Sequence, residues 1–177
     1  MPNRAFEEVV LPHLDAAFNY ARWLTKSDAD AEDVVQDAAV RALRYFSSLR
    51  NDDARAWLLT IVRNTYYTWI RRNRLTETID QFDNEEHILI SDALDPERAL
   101  LQEADKQMVR RALRKLPAQF LEVIVLREFE ELSYQQIAEV VQVPLGTVMS
   151  RLARARKRLG QLISTSCLEA TAEEIAV

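Results

Sequence analysis

Apolar residues recur along most of this chain at intervals of three and four, the spacing that gives an α-helix one buried face. Over residues 6–25, Val10, Leu14, Phe18, Ala21 and Leu24 share one broad face, with a restart expected at Pro12. The Ser27-Asp28-Ala29-Asp30 cluster ends that helix and caps the next. The next helix, over 31–46, turns Val35, Ala38, Ala39, Ala42 and Phe46 inward. A polar loop, SSLRNDD at 47–53, ends in a cap for a helix over 54–73, whose inward stripe is Leu58, Ile61, Val62, Thr65 and Trp69. The period is lost over 75–95. It returns at Pro96, a residue suited to a first helical position, and continues through Ala99, Leu101, Ala104, Met108, Val109, Ala112 and Leu116. Pro117 interrupts it, and residues 118–129 predict a short helix carrying Phe120, Leu121, Ile124 and Val125.

The stretch 133–162 predicts a helix, a tight turn and a longer basic helix. Ser133 with Gln136 three residues later is a capping box, and Ile137, Ala138 and Val141 give the first helix its apolar face. The turn is Gln142-Val143-Pro144-Leu145-Gly146, and the second helix starts near Thr147. At 100° per residue, Leu152, Ala155 and Leu159 fall within about 40° of Val148, a single core stripe. The opposite side holds Thr147, Ser150, Ala153, Arg154 and Lys157, flanked by Arg151 and Arg158 on one edge and Met149 and Arg156 on the other. Five bases and no acid between 146 and 163 make this the pattern of a helix-turn-helix whose second helix enters the DNA major groove. A solvated Arg-rich helix packed on a neighbour is the plainer alternative.

Composition narrows the fold. Two glycines in 177 residues argue against hairpins and sheets, so the expected class is all-α. With one cysteine, Cys167, and two isolated histidines, His13 and His87, neither a disulfide nor a metal site is expected. No run is apolar enough to span a bilayer and no signal peptide is evident, which points to the cytoplasm. The net charge of −5, taken alone, argues against nucleic acid, but it averages strong blocks. Residues 54–74, 106–116 and 146–163 each carry +5, whereas 76–105 carry −9. Local fields, not net charge, therefore govern partners. Residues 76–95 of that acidic stretch are expected to shield the basic faces in the free protein.

One basic block has its own chemistry. Opposite Leu58 on the 54–73 helix lie Thr60, Arg63, Asn64, Tyr67, Arg71 and Arg74. Cations beside an amide and an aromatic suit phosphates, base edges and an unstacked base together. A solvated face with a snorkelling tyrosine is the alternative. On the preceding helix, Asp33, Gln36 and Asp37 share a polar face; the helix dipole accounts for an acid in a first turn, but less well for Gln36 and Asp37.

Four blocks in order, AEDVVQDAAVRAL (31–43), AWLLTIVRN (56–64), LPAQFLEVIVLREFEELSYQQIA (116–138) and VPLGTVMSRLARARKRL (143–159), resemble the extracytoplasmic-function (group 4) sigma factors of bacterial RNA polymerase, over roughly residues 6–163. The resemblance implies two small helical domains joined by a flexible acidic linker, the C-terminal one carrying the helix-turn-helix. Its divisions are a region 2 domain at 1–74, a linker at 75–95, a region 4 domain at 96–163 and a tail at 164–177. It implies that Asp33, Gln36 and Asp37 bind polymerase, and that Asn64 meets the −10 element beside the 47–53 loop; Thr60, Arg63, Tyr67 and Arg71, on the same helix face, are expected to meet it too. Thr147, Ser150, Arg151, Arg154, Lys157 and Arg158 would meet the −35 element. The implied partners are core polymerase (the clamp of its largest subunit and the flap), promoter DNA and an anti-sigma factor, with no cofactor and no catalytic residue. Thr68, where the family often has an acid, and the bulky Tyr66-Tyr67 pair are departures that bear on −10 sequence preference. A conventional helix-turn-helix regulator with an N-terminal sensing or dimerising domain would explain 117–163 equally well. An enzyme is not supported, since no phosphate loop or nucleophile–base pair is present.

Overall fold

The computed structural model describes residues 2–49, 53–73 and 96–175, and these are helical throughout apart from short turns. The first half comprises α1 (Pro2–Val9), a 3-10 turn at Leu11–His13 containing Pro12, α2 (Leu14–Thr25), α3 (Asp28–Tyr45), a 3-10 turn at Phe46–Ser48 and α4 (Ala54–Asn73). The second comprises α5 (Pro96–Arg114), α6 (Ala118–Ile124), a π-turn at Val125–Phe129, α7 (Tyr134–Val141) and α8 (Leu145–Ile175). The all-α class and the C-terminal helix-turn-helix are as the periodicity predicts, and the two helical domains are as the resemblance implies. The acidic stretch 75–95 and Arg74 lie outside the described residues, as does part of the 47–53 loop.

In the first half α2, α3 and α4 pack on one another. Ser27 caps α3 by accepting the Asp30 N–H at 3.3 Å, so the helix begins at Asp28, three residues earlier than expected. Its buried stripe is Ala31, Val34, Ala38 and Ala42, with Val35 and Phe46 only partly covered. Asp53 caps α4 through the Ala56 N–H at 3.0 Å. Beyond the expected Leu58, Val62 and Thr65, α4 also buries Ala54, Ala56 and Leu59. A second buried flank on α4 needs a second neighbour, and α7 supplies it. The buried side chains of both halves thus form one continuous apolar cluster, from Phe6 and Tyr20 to Val148 and Ala155.

In the second half the capping box forms in full: Ser133 accepts the Gln136 N–H at 3.2 Å, and the Gln136 side chain accepts the Ser133 N–H at 2.7 Å. The residue that turns the chain is Gln142, not a glycine; it sits in the left-handed region at φ 56° with its N–H on the Ala138 carbonyl. Gly146 already lies inside the first turn of α8, where an added Cβ would meet nothing within 4 Å. The tail expected after Ile163 is helical to Ile175, with the Cys167 sulfur 3.6 Å from that of Met108 on α5.

The π-turn sets a register. Glu130 donates its N–H to the Val125 carbonyl, five residues back, at 3.1 Å. In an unbroken α-helix Glu130 would point about 80° away from Glu122; one inserted residue turns it back by about 100°. Both carboxylates therefore face the first half.

The two ends of α7 respond oppositely to substitution. Ser133→Ala should cost about 1 kcal/mol by leaving an N-terminal donor unsatisfied. Gln142→Gly should gain about 0.5–1 kcal/mol by relieving the left-handed strain. Urea denaturation of the two variants checks both signs.

Candidate nucleic-acid interface

On α8, Val148, Leu152 and Ala155 are buried against α6 and α7, with Leu159 half-buried behind them. Ser150, Arg154, Lys157 and Arg158 consequently stand exposed, while Thr147 and Arg151 are half-exposed at the edges. The Ser150 hydroxyl donates to the Thr147 carbonyl at 3.0 Å. Arg156, on the other flank, is held by Glu128 at 2.7 Å. That bond, followed by one with Tyr134, raises its guanidinium pKa. The face is thus divided into a row of cations pointing outward and one cation tied to the scaffold. Met149, with about half its surface exposed, is the apolar element of the row.

Helix α3 turns Asp33, Gln36 and Asp37 outward together, and Asp37 pairs with Arg41 one turn on at 3.1 Å. Val40 and Leu43 continue the exposed side with apolar surface.

The α4 face is where the structure departs from the sequence pattern. Asn64 and Arg71 are exposed, but Arg63 and Tyr67 are covered by Glu122 from α6. Glu122 is itself 1% exposed. Its Oε1 accepts from Arg63 Nε at 2.9 Å, from the Tyr67 hydroxyl at 3.1 Å and from the Tyr20 hydroxyl at 3.5 Å. Its Oε2 accepts from Arg63 Nη2 at 3.4 Å. The guanidinium also lies 4.8 Å from the centre of the Tyr67 ring. Burial alone would lower the Arg63 pKa, but the bond to Glu122 reverses the sign and raises it. Burial, then the neighbouring carboxylate, pushes the Tyr67 phenol up, and fully buried Tyr20 rises well above the usual tyrosine range for the same two causes. Both phenols therefore stay protonated and donate. Elsewhere on α4 the Thr60 hydroxyl donates to the Ala56 carbonyl at 2.9 Å and Arg71 Nε to the Tyr67 carbonyl at 3.2 Å.

Further rungs continue from this one. Arg55 pairs with Glu130, which is 3% exposed, and the Gln136 amide donates to Asp53. Lys26, at the end of α2, donates to the Arg114 carbonyl at the end of α5 at 3.2 Å. Trp23 and Phe129 meet at 5.3 Å between ring centres. Acids of the second half thus meet cations of the first in reversed order along the chain, 122 against 63 and 130 against 55.

Comparison with known proteins decides the family. Residues 9–76 match the model of Sigma-70 region 2, and residues 106–159 that of Sigma-70, region 4. The chain belongs to the extracytoplasmic-function sigma-70 family. It is 33% identical to the RNA polymerase sigma-H factor of Pseudomonas aeruginosa over 94% of this chain and 90% of that protein. It is 34% identical to the sigma-E factor of Escherichia coli K12 over 73% and 72%. Among solved structures, it resembles the sigma factor RpoE in complex with the anti-sigma factor NepR from Bartonella quintana, with TM-score 0.74, 30% identity, and coverage of 91% of this chain and 98% of that one. It also resembles CnrH in complex with the cytosolic domain of CnrY, with TM-score 0.64, 28% identity and coverage of 92% and 90%.

In this sigma-70 family chain the sequence reading missed Tyr20, Arg55, Glu122 and Glu130. A signal existed for the acids. Glu122 interrupts FLEVIVL, a run too apolar to lie on the surface, and a buried carboxylate requires partners. Nothing in the sequence indicates which cations those are. The acid found on the basic face of α4 comes from α6; the shield expected from the acidic stretch falls outside the described residues.

The phenol geometry has a pH signature. The folded state holds the Tyr20 and Tyr67 protons more tightly than the unfolded chain does, so their contribution is intact below the ordinary tyrosine pKa and is lost as pH climbs beyond about 10. Tyr20→Phe should flatten that alkaline limb in chemical denaturation run from pH 8 to 11. An unchanged limb would exclude Tyr20 as its source.

Proposed function

We propose that this chain binds core RNA polymerase and directs promoter-specific initiation, reading the −35 element with α8 and the −10 element with α4. One observation carries the reading: matches to regions 2 and 4 in order, each holding a basic helix with an outward reading face or a face built for phosphate. In this reading Asp33, Gln36 and Asp37 dock polymerase. Asn64, Thr60, Arg63, Tyr67 and Arg71, with the 47–53 loop, take the melted −10 strand. Ser150 and Arg154 reach −35 base edges, while Lys157, Arg151 and Arg158 meet phosphate and Thr147 lies at the helix start. The chain supplies recognition and strand separation, acts in the cytoplasm without a cofactor, and leaves phosphodiester chemistry to the polymerase. The domains divide at 1–74, 75–95, 96–163 and 164–177. The partners are the clamp of the largest polymerase subunit, the flap and promoter DNA. An anti-sigma factor is a further partner, supported by the similar solved structure of the sigma factor RpoE in complex with the anti-sigma factor NepR. A conventional regulator would leave the region 2 match over 9–76 without a role. Run-off transcription with purified core on a pool of promoters tests the reading: transcripts should appear only when this chain is added.

The docking face gives a clean variant. Asp33→Lys with Gln36→Ala should weaken core binding in a pull-down titration while stability changes by no more than about 0.5 kcal/mol, as is usual for exposed positions.

Orientation of α8 on the duplex is tested with holoenzyme on single-base −35 variants at several salt concentrations. Arg154→Ala should cost about 1–3 kcal/mol and relax preference at one base pair. Lys157→Ala should weaken all variants alike and reduce the log–log salt slope by roughly one unit. The reverse assignment would mean that the helix is rotated about its axis.

A further inference from the structure

We infer that α8 reads thymine: Leu145, Met149 and Ala153 form an apolar edge that packs against C5-methyl groups of the −35 element. This rests on the assignment of α8 to that element.

At 100° per residue, Leu145, Met149 and Ala153 fall about 60°, 100° and 140° from Val148, in one row along the helix. All three are exposed, Leu145 at 42% and Met149 at 53%. They stay exposed although the two halves meet along the seam of Glu122 and Glu130. One exposed apolar side chain needs no explanation. A row of three at the start of such a helix is different, because that end meets base edges. Arg154, Arg158 and Arg151 occupy the other edge, about 240° to 300° from Val148. Arg156 shares the apolar edge, at about 80°, and Glu128 holds it at 2.7 Å. The outward face is therefore split lengthwise, cationic on one side and apolar on the other.

Thymine is the base that carries an apolar group into the major groove, and small or apolar side chains are its partners there. Against cytosine, adenine or guanine the same row would strip water from a donor or acceptor and return no partner. The edge therefore favours one base and penalises the others. Met149 suits the task, because its unbranched side chain adapts to an irregular surface. Gly146 points to a close approach. An added Cβ there would meet nothing within 4 Å and its φ is not positive, so neither packing nor backbone conformation calls for glycine. Glycine also weakens a helix. Gly146 lies about 160° from Val148, between the row and the centre of the outward face, where a side chain would hold the helix off the bases.

The test uses holoenzyme, made from the full chain and purified core, on a fluorescein-labelled duplex selected by it from a randomised pool. Each thymine of the −35 element is replaced in turn by uracil, which removes the methyl group and leaves the pairing edge unchanged. At one thymine or more, wild-type holoenzyme should bind the uracil duplex about fourfold more weakly, the scale of one buried methyl group. Met149→Ala should bind thymine and uracil alike at such a position, whereas Met149→Leu should keep a preference. Leu145→Ala is the second variant; both positions are exposed, so the fold should be unaffected. Lys157→Ala should weaken both duplexes equally and keep their ratio. If no thymine carries the penalty, or if Met149→Ala and Leu145→Ala both keep the wild-type ratio at every thymine, the apolar edge does not read methyl groups. Run-off transcription from the same duplexes separates this from the function itself. Promoter-specific transcripts without a uracil penalty remove the thymine contact and keep the sigma reading. A penalty that Met149→Ala abolishes, without promoter-specific transcripts, keeps the contact and removes that reading.

Discussion

A buried carboxylate must find partners or fail to fold, and in this protein that requirement joins two helical domains. Glu122 sits among the apolar side chains of α6, where an unpaired charge would be untenable. Its three donor side chains come from α2 and α4 of the other half. The domains therefore settle in the one register that brings Tyr20, Arg63 and Tyr67 onto two oxygens. Replacing such a pair with well-packed apolar residues is often neutral or stabilising, whereas removing one member alone costs about 3–5 kcal/mol. Its value here is specificity of arrangement more than strength.

The other features of the second domain arise from serving two neighbours. Helix α6 buries its last four residues, Leu121 to Ile124, because α8 covers one side and α2 the other. The π-turn that ends it changes the phase of the next segment, so Glu130 meets Arg55 and the chain reaches Ser133 in position to cap α7. Gln136 then has two tasks, closing the capping box and reaching Asp53 across the seam. Helix α8 lies clear of the seam: its core stripe faces α6 and α7 and its cations face outward. The closed arrangement thus covers part of the basic α4 face and leaves the basic α8 face open.

Local pattern and tertiary packing contributed different things. The helices, their order, the capping box and the core stripe of α8 were legible in the sequence, because helix period and capping are short-range and depend on residues within one or two turns. So was the outward placement of Ser150, Arg154 and Lys157, since fixing Val148 and Leu152 inward fixes their opposites. Boundaries shifted at two helix ends: the Ser27 hydroxyl started α3 early, and the left-handed backbone at Gln142 shortened the expected turn, so that Gly146 fell inside α8. What the sequence could not determine was the state of the α4 face. The periodicity of α4 identifies Arg63 and Tyr67 as opposite its main core stripe, but not what lies against them. That depends on a carboxylate 59 residues away from Arg63 in the chain, brought there by a domain interface and a one-residue π insertion that no local period records. The sequence determined which residues could hold an anion; only the tertiary structure decided that one of the protein's own carboxylates would be the anion held, because pairing was the only way to bury that charge.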